Sequence, residues 1–155
     1  MLEIIHAKTE QEVQTAKILF EEYAEWLGMD LEFQNFQEEL DSMPGKYAPP
    51  SGGLLIAKYD GDIAGCSAVR KLEDGVCEMK RLFVREKFRG KGIGKALAVR
   101  IIEDARKIGY KKMRLDTDGQ KMFKAMAIYK SMGFMEIEAY YHNPYDGVVY
   151  LELEL

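Results

Sequence analysis

The stretch FRGKGIGKAL, residues 88–97, constrains the fold more than any other part of this chain. Its glycines, Gly90, Gly92 and Gly94, alternate with other residues, and Arg89, Lys91 and Lys95 stand among them. A strand-like run, Val76–Val84, precedes it. An apolar stripe at helical spacing follows, with Ile93, Leu97, Ile101, Ala105 and Ile108 closed by Gly109. The segment therefore reads as strand, glycine loop and helix start, in that order. A helix start offers free N–H groups and the positive end of the dipole. Glycines let the backbone come close to a ligand. Together they make an anion site suited to phosphate or pyrophosphate.

Charge supports that reading. The chain carries a net charge of −4, yet between Met79 and Lys95 the basic residues Lys80, Arg81, Arg85, Lys87, Arg89, Lys91 and Lys95 face only Glu86. One basic island in an acidic chain points to a localised anion site, not to nucleic-acid binding. Lys87 reads as a solvated charge. Two familiar phosphate loops fail here. A P-loop would need glycine at Arg89 and a hydroxyl at Ala96. A dinucleotide fingerprint would need glycine at Lys95. What remains is Arg89-x-x-Gly92-x-Gly94.

The 155 residues read as one domain, 1–155, with enough apolar content (47%) for a core without disulfides or metal. Cys66 and Cys77 are expected as buried free thiols on neighbouring strands, and His6 and His142 lie in no ligand spacing. No apolar run is long enough for a membrane span, and the first residues, MLEIIHAKTE, do not resemble a signal peptide. A cytoplasmic location is the expectation.

Along the chain, LEIIHAK reads as a first strand. TEQE is a capping box that opens a helix burying Val13, Ala16, Phe20, Tyr23 and Leu27. A second helix is expected over Phe33–Leu40, and MPGKYAPPSGG is a loop. GLLIAKY and IAGCSAVRKL form a hairpin across Asp60-Gly61. Within Val76–Val84, strict alternation puts Met79 and Phe83 on one face and Glu78, Leu82 and Val84 on the other. The mixed pattern at Lys80-Arg81 predicts a bulge. KKMRLDT is a further strand. DGQKMFKAMAIYKSMG is a helix capped by Thr117 or Asp118 and stopped at Gly133. FMEIEAYY and GVVYLELEL are the last strands. The order predicts an α/β or α+β fold, one mixed sheet with helices on both faces.

Arg89-Gly90-Lys91-Gly92-Ile93-Gly94 resembles the (Q/R)-x-x-G-x-(G/A) acyl-CoA loop of the GNAT superfamily of N-acetyltransferases. EMKRLFV resembles that family's central strand. AIYKSMGF, with Tyr129 four residues before Gly133-Phe134, resembles its helix-to-strand signature. The order of elements is similar over nearly the whole chain. One departure is Met122, where many members carry Asn.

The resemblance implies a sheet splayed into a V-shaped cleft, with helices on both faces. Pantetheine would lie along Leu82, Phe83 and Val84 like an added strand. Acetyl-CoA is the implied co-substrate, with no metal. Its phosphates would be held by the backbone of Gly90, Gly92, Ile93 and Gly94 and the side chains of Arg89, Lys91 and Lys95. The implied reaction is direct acetyl transfer to a primary amine of a small molecule or peptide. Such an amine, with a pKa near ~10.4, must lose a proton before it attacks. Glu78 is the first candidate base and Asp116 the second; water alone is a third option. A backbone N–H near Leu82 would hold the oxyanion, and Tyr129 would protonate the leaving thiolate.

Acceptor contacts are expected from Trp26, Tyr141, Asn143 and Asp116, within a wider group of Tyr23, Phe33, Tyr140 and Tyr145. Each also has a plainer reading, as a packed aromatic or a paired surface carboxylate. No nucleic acid or membrane partner is expected, and a homodimer stays open. The alternative function is a non-catalytic acyl-CoA sensor, which would keep the loop without needing Tyr129 or Glu78.

Overall fold

The computed structural model describes residues 1–155, with every side chain except that of Phe33. Its strands are β1 (Leu2–His6), β2 (Gly53–Tyr59), β3 (Asp62–Glu73), β4 (Val76–Val84), β5 (Lys112–Asp118), β6 (Met135–Ile137) and β7 (Val148–Glu154). Its helices are α1 (Glu10–Leu27), α2 (Phe36–Ser42), α3 (Ile93–Ile108) and α4 (Phe123–Ser131). The strands form one seven-stranded mixed sheet in the order β1-β2-β3-β4-β5-β7-β6. One apolar cluster joins α3 and Tyr129 of α4 to one face; the other joins α1, Leu40 and Tyr47 to the opposite face. The mixed sheet with helices on both faces is the one the sequence predicted.

Local signals account for much of this. Thr9 accepts from the Glu12 N–H at 3.1 Å, and Glu12 returns the bond to the Thr9 N–H at 3.0 Å, so the capping box opens α1. Asp60 (φ 50°) and Gly61 (φ 86°) turn β2 into β3. In α3, Ile93, Leu97 and Ile101 are at most 1% exposed, each worth roughly 1.5–3 kcal/mol of burial. Ile108, the last residue of the expected stripe, is instead 37% exposed. Cys66 and Cys77 are free and buried.

The bulge predicted at Lys80-Arg81 is present. Cys66 pairs with Phe83 and Ala68 with Lys80, so Arg81 and Leu82 together face the single residue Ser67. Arg81 takes φ 60°, a left-handed conformation. The extra residue reverses the alternation beyond it. Phe83 therefore joins the α1 face, and Leu82 and Val84 join Met79 on the α3 face, opposite to the faces expected from strict alternation.

The splay follows directly. β4 and β5 run parallel and pair only at Val76↔Lys112, Cys77↔Met113 and Glu78↔Arg114. Beyond Glu78 the two strands part, leaving the β4 backbone from Met79 to Val84 without a partner on that side.

Other expected boundaries differ. Asn35, at φ 55°, divides the expected second helix into a 3₁₀ turn (Leu31–Gln34) and α2. α4 starts at Phe123, because the Asp118 carboxylate accepts from the N–H groups of Gln120 and Lys121 and holds a turn there first. The strand expected over 134–141 ends at Ile137, and its last residues leave the sheet edge to cover buried charge.

Candidate functional site

The splay opens a cleft of about 590 Å³ between β4, the glycine loop and α4. Leu82, Phe83, Val84, Arg89, Gly90, Gly92, Ile93, Gly94 and Lys95, all expected at the cofactor, line it, and so does Tyr129. Lys91 does not; its ammonium lies over the Tyr59 ring at 5.2 Å. Trp26, expected at the acceptor, lines this cleft instead, between the Arg89 guanidinium at 4.7 Å and the Lys121 ammonium at 5.0 Å. Gly92 takes φ 78° and caps α3 with no side-chain hydrogen bond, so the first N–H groups of α3 face the cleft mouth. Lys121 and Ile128 also line this wall and sequence reasoning did not assign them; Met122 and Ala125 line it as well, on the side of the helix that its spacing turns with Tyr129. Helical spacing back from Tyr129 was the signal for Ala125.

The basic island divides in two. Arg81 makes a bidentate pair with Glu39, both bonds 3.0 Å, and Arg85 makes another with Glu22 at 2.8 and 2.7 Å. Lys80 donates to Gln34 Oε1 at 3.2 Å. Lys87 lies over the Phe88 ring. Only Arg89 and Lys95 present basic side chains from the island to the cleft.

On the α1 face of the sheet, charge is arranged in rows. Arg70, Glu78, Arg114 and Glu152 are consecutive register partners across β3, β4, β5 and β7. Arg70 Nη2 reaches Glu78 Oε1 at 2.9 Å, and Arg114 Nε reaches Glu152 Oε2 at 2.8 Å. Tyr140 Oη donates to Glu78 Oε2 at 2.6 Å. Glu78 is only 2% exposed. Burial pushes its pKa up, but Lys80, Arg70 and the bonds from Tyr140 and Arg70 outweigh burial and hold it below the usual carboxylate range. Glu78 lines neither the cleft nor the recess described next.

One row further along, Lys80 on β4 and Asp116 on β5 would be neighbours had pairing continued. The splay separates them, and no ion pair joins them. Asp116 instead lines a small recess with Tyr23, Gln34, Arg81 and Asn143. Its Oδ2 is buried with no hydrogen-bond partner among the described residues. Burial first, then the nearby Glu78 charge, outweigh Lys80 and Arg81 and raise its pKa to about 6. Tyr141 borders the same region, with its hydroxyl accepting from Gln34 Nε2 at 3.1 Å and Asn143 Nδ2 at 3.3 Å. Tyr140, Tyr141 and Tyr150 stack edge to face at 5.3–5.6 Å. Tyr145 accepts from the Asp30 N–H at 2.8 Å. The Phe33 side chain lies outside the described residues.

Tyr129 is 3% exposed and packs edge-on to Phe134 at 5.6 Å. Burial, then the Tyr23 and Asp116 charges, push its pKa above the ordinary value, so its hydroxyl keeps its proton at neutral pH.

The profile of the acetyltransferase (GNAT) family matches residues 16–134. The chain belongs to the GNAT acetyltransferase family. It is similar to an uncharacterized N-acetyltransferase of Schizosaccharomyces pombe, 43% identical over 156 residues, which span 99% of this chain and 95% of the relative. A second relative, from Dictyostelium discoideum, is 35% identical over 207 residues, spanning 94% and 95%. The N-acetylaspartate synthetase of Rattus norvegicus is 37% identical over 101 residues, 64% of this chain and 33% of that one.

Among solved structures, a GNAT acetyltransferase of Staphylococcus aureus superposes with a TM-score of 0.80 at 19% identity, covering 99% of both chains. The PaiA N-acetyltransferase of Thermoplasma acidophilum, in complex with coenzyme A, superposes at 0.76 with 17% identity, covering 100% of this chain and 99% of that one. At such identities the likeness concerns the fold alone. In this GNAT chain, no helix among the described residues is long and apolar enough to cross a membrane.

Proposed function

We propose that this chain transfers an acetyl group from acetyl-CoA directly to a primary amine, with Asp116 as the base and Tyr129 as the acid. The observation that carries this is a carboxylate in the recess beside the splay, with Oδ2 buried and unpartnered, while the same splay opens a large cleft lined by a protonated tyrosine. The cleft fits the co-substrate in three respects. It has an unpaired strand edge for the pantetheine amides, an uncapped helix start for the pyrophosphate, and Arg89 and Lys95 for phosphate charge.

When bound, acetyl-CoA supplies an activated acyl carbon. The amine nitrogen forms the new N–C bond as the C–S bond breaks. Asp116 takes the proton from nitrogen, and the Tyr129 hydroxyl gives one to the departing sulfur and recovers it from solvent. A pKa near 6 suits Asp116 to this work at neutral pH, where it is mostly ionised. Glu78 suits it less, because its oxygens are occupied and its charged form is the stabilised one. Backbone N–H groups at the bulge near Leu82 are the oxyanion donors in this reading.

Thiol release from acetyl-CoA across a panel of primary amines tests it, with the mass of each product. The kcat profile should rise with an apparent pKa near 6, and Asp116→Asn should remove that limb and lower turnover by about 10²–10⁴-fold. Binding of acetyl-CoA without turnover of any amine would make the chain a binding module instead.

A further inference from the structure

The acceptor's chemical class is open in the reading above, and the charge rows narrow it. The ions on the α1 face near the splay differ in how closely they are matched, and Asp118, on the same recess as Asp116, accepts from the Gln120 and Lys121 N–H groups. Arg70 is matched by Glu78, Arg114 by Glu152, and Arg81 by Glu39, which Lys46 also approaches at 3.2 Å. Two groups are matched less closely than these. One is Lys80, whose ammonium makes a single hydrogen bond, to the neutral Gln34 amide, with Glu78 at 3.8 Å. The other is Asp116, whose Oδ2 has no partner among the described residues. They project from parallel strands one row beyond the last paired residues, held apart by the splay.

We infer that the acceptor is a small zwitterion, a free amino acid or close analogue, whose amine is held by Asp116 and whose carboxylate is held by Lys80. This rests on the amine-acetyltransferase reading. Splitting a would-be ion pair across a gap leaves a cation and an anion that a ligand of both charges can complete. A ligand carrying only amines would leave Lys80 opposed by a like charge. Gln34 is the polar stand-in on Lys80, and its other end is tied to the Tyr141 hydroxyl. A carboxylate displacing it would replace a neutral bond by a charge-assisted one, roughly twice as strong. The recess that Gln34, Asp116 and Asn143 line is small, about 30 Å³, and Lys80 is outside its lining, bonded to Gln34, so a carboxylate reaches Lys80 by displacing that amide and a long polyamine does not fit. Burial, then the Arg81 charge, lower the Lys80 pKa to about 8, which is the direction expected of a cation still lacking a full counter-charge.

The test compares, at saturating acetyl-CoA, free L-amino acids with their amides and with the matching decarboxylated amines. Free amino acids should exceed both by roughly 10–100-fold in kcat/KM, the range of a charged hydrogen bond. Lys80→Met and Lys80→Gln should each shrink that ratio towards one, through KM, while the acetyl-CoA-induced rise in Tm persists. Equal turnover of amides and simple amines by the parent enzyme would overturn the zwitterion and leave the acetyltransferase reading standing. So would variants that discriminate as the parent does, for the part assigned to Lys80. Failure of every compound to be acetylated would overturn both.

Discussion

Glu78 and Asp116 are two carboxylates at the same splay, and their surroundings drive them in opposite directions. Glu78 is held ionised by Arg70, Lys80 and Tyr140. Asp116 has one carboxylate oxygen, Oδ2, buried without a hydrogen-bond partner, and its charged form is the disfavoured one. The two therefore contribute to stability with opposite signs. Asp116, with its pKa raised, contributes most below the ordinary carboxyl range, and that is lost as pH rises through about 6. Glu78, with its pKa lowered, contributes fully above its unfolded value of about 4.3, and that is lost as pH falls through the depressed folded value. Glu78→Gln should thus cost about 1–3 kcal/mol at pH 7 by leaving Arg70 and Lys80 less well matched. The Tm difference from the parent should shrink below about pH 4. Its turnover loss should be the same at each pH, as for a positioning residue. A loss confined to neutral pH would return the base role to Glu78.

The β4 bulge connects sequence, strain and site. A non-glycine residue at φ 60° costs on the order of 1–3 kcal/mol, and Arg81 is held there by Glu39 from α2. Arg81 and Glu39 are 5% and 6% exposed, so the pair is dry and its geometry specific. Opposite the bulge, a Cβ on Gly65 would lie 2.3 Å from the Phe83 carbonyl oxygen, so β3 can follow β4 this closely only with glycine there. Burial opposes the Glu39 charge, but Arg81, with Lys46 and Lys80, lowers its pKa to about 2. Glu39→Gln should cost roughly 3–5 kcal/mol in urea unfolding at pH 7, as expected for a broken buried pair. That difference should fade as pH drops from about 4.3 towards about 2. Acetyl-CoA affinity should fall with it, because the bulge determines which side chains of β4 face the cleft. An unchanged affinity would separate the bulge from the cleft.

Over the whole molecule, binding and folding are linked through the cleft. Acetyl-CoA at about 100 times its Kd should raise Tm by roughly 5–10 °C. Gly92→Val should abolish the rise. A branched residue is strained at φ 78°, and its side chain would stand where the backbone must meet a phosphate. Gly94→Ala should retain it, since a Cβ there meets only Val84 Cγ2 at an ordinary 3.7 Å. Differential scanning fluorimetry reads both. A full shift in Gly92→Val would move the phosphate site away from the loop.

The parts legible along the chain were those whose cause is local. The Thr9–Glu12 capping box, the Asp60-Gly61 turn, the glycine loop before α3 and the four-residue step from Tyr129 to Gly133 each depend on a few consecutive residues and on backbone geometry. The failed alternation at Lys80-Arg81 announced the bulge, though not that Phe83 would change faces. The rest needed tertiary structure, because the partner of a buried charge lies far away in sequence. Glu39 reaches Arg81 across 42 residues, and Tyr140 reaches Glu78 across 62. Nothing near Glu78 shows that three groups will hold it ionised, and nothing near Asp116 shows that one of its oxygens will be left alone. Strand order and the splay bring those groups together or keep them apart, and burial then determines which carboxylate holds its proton more tightly.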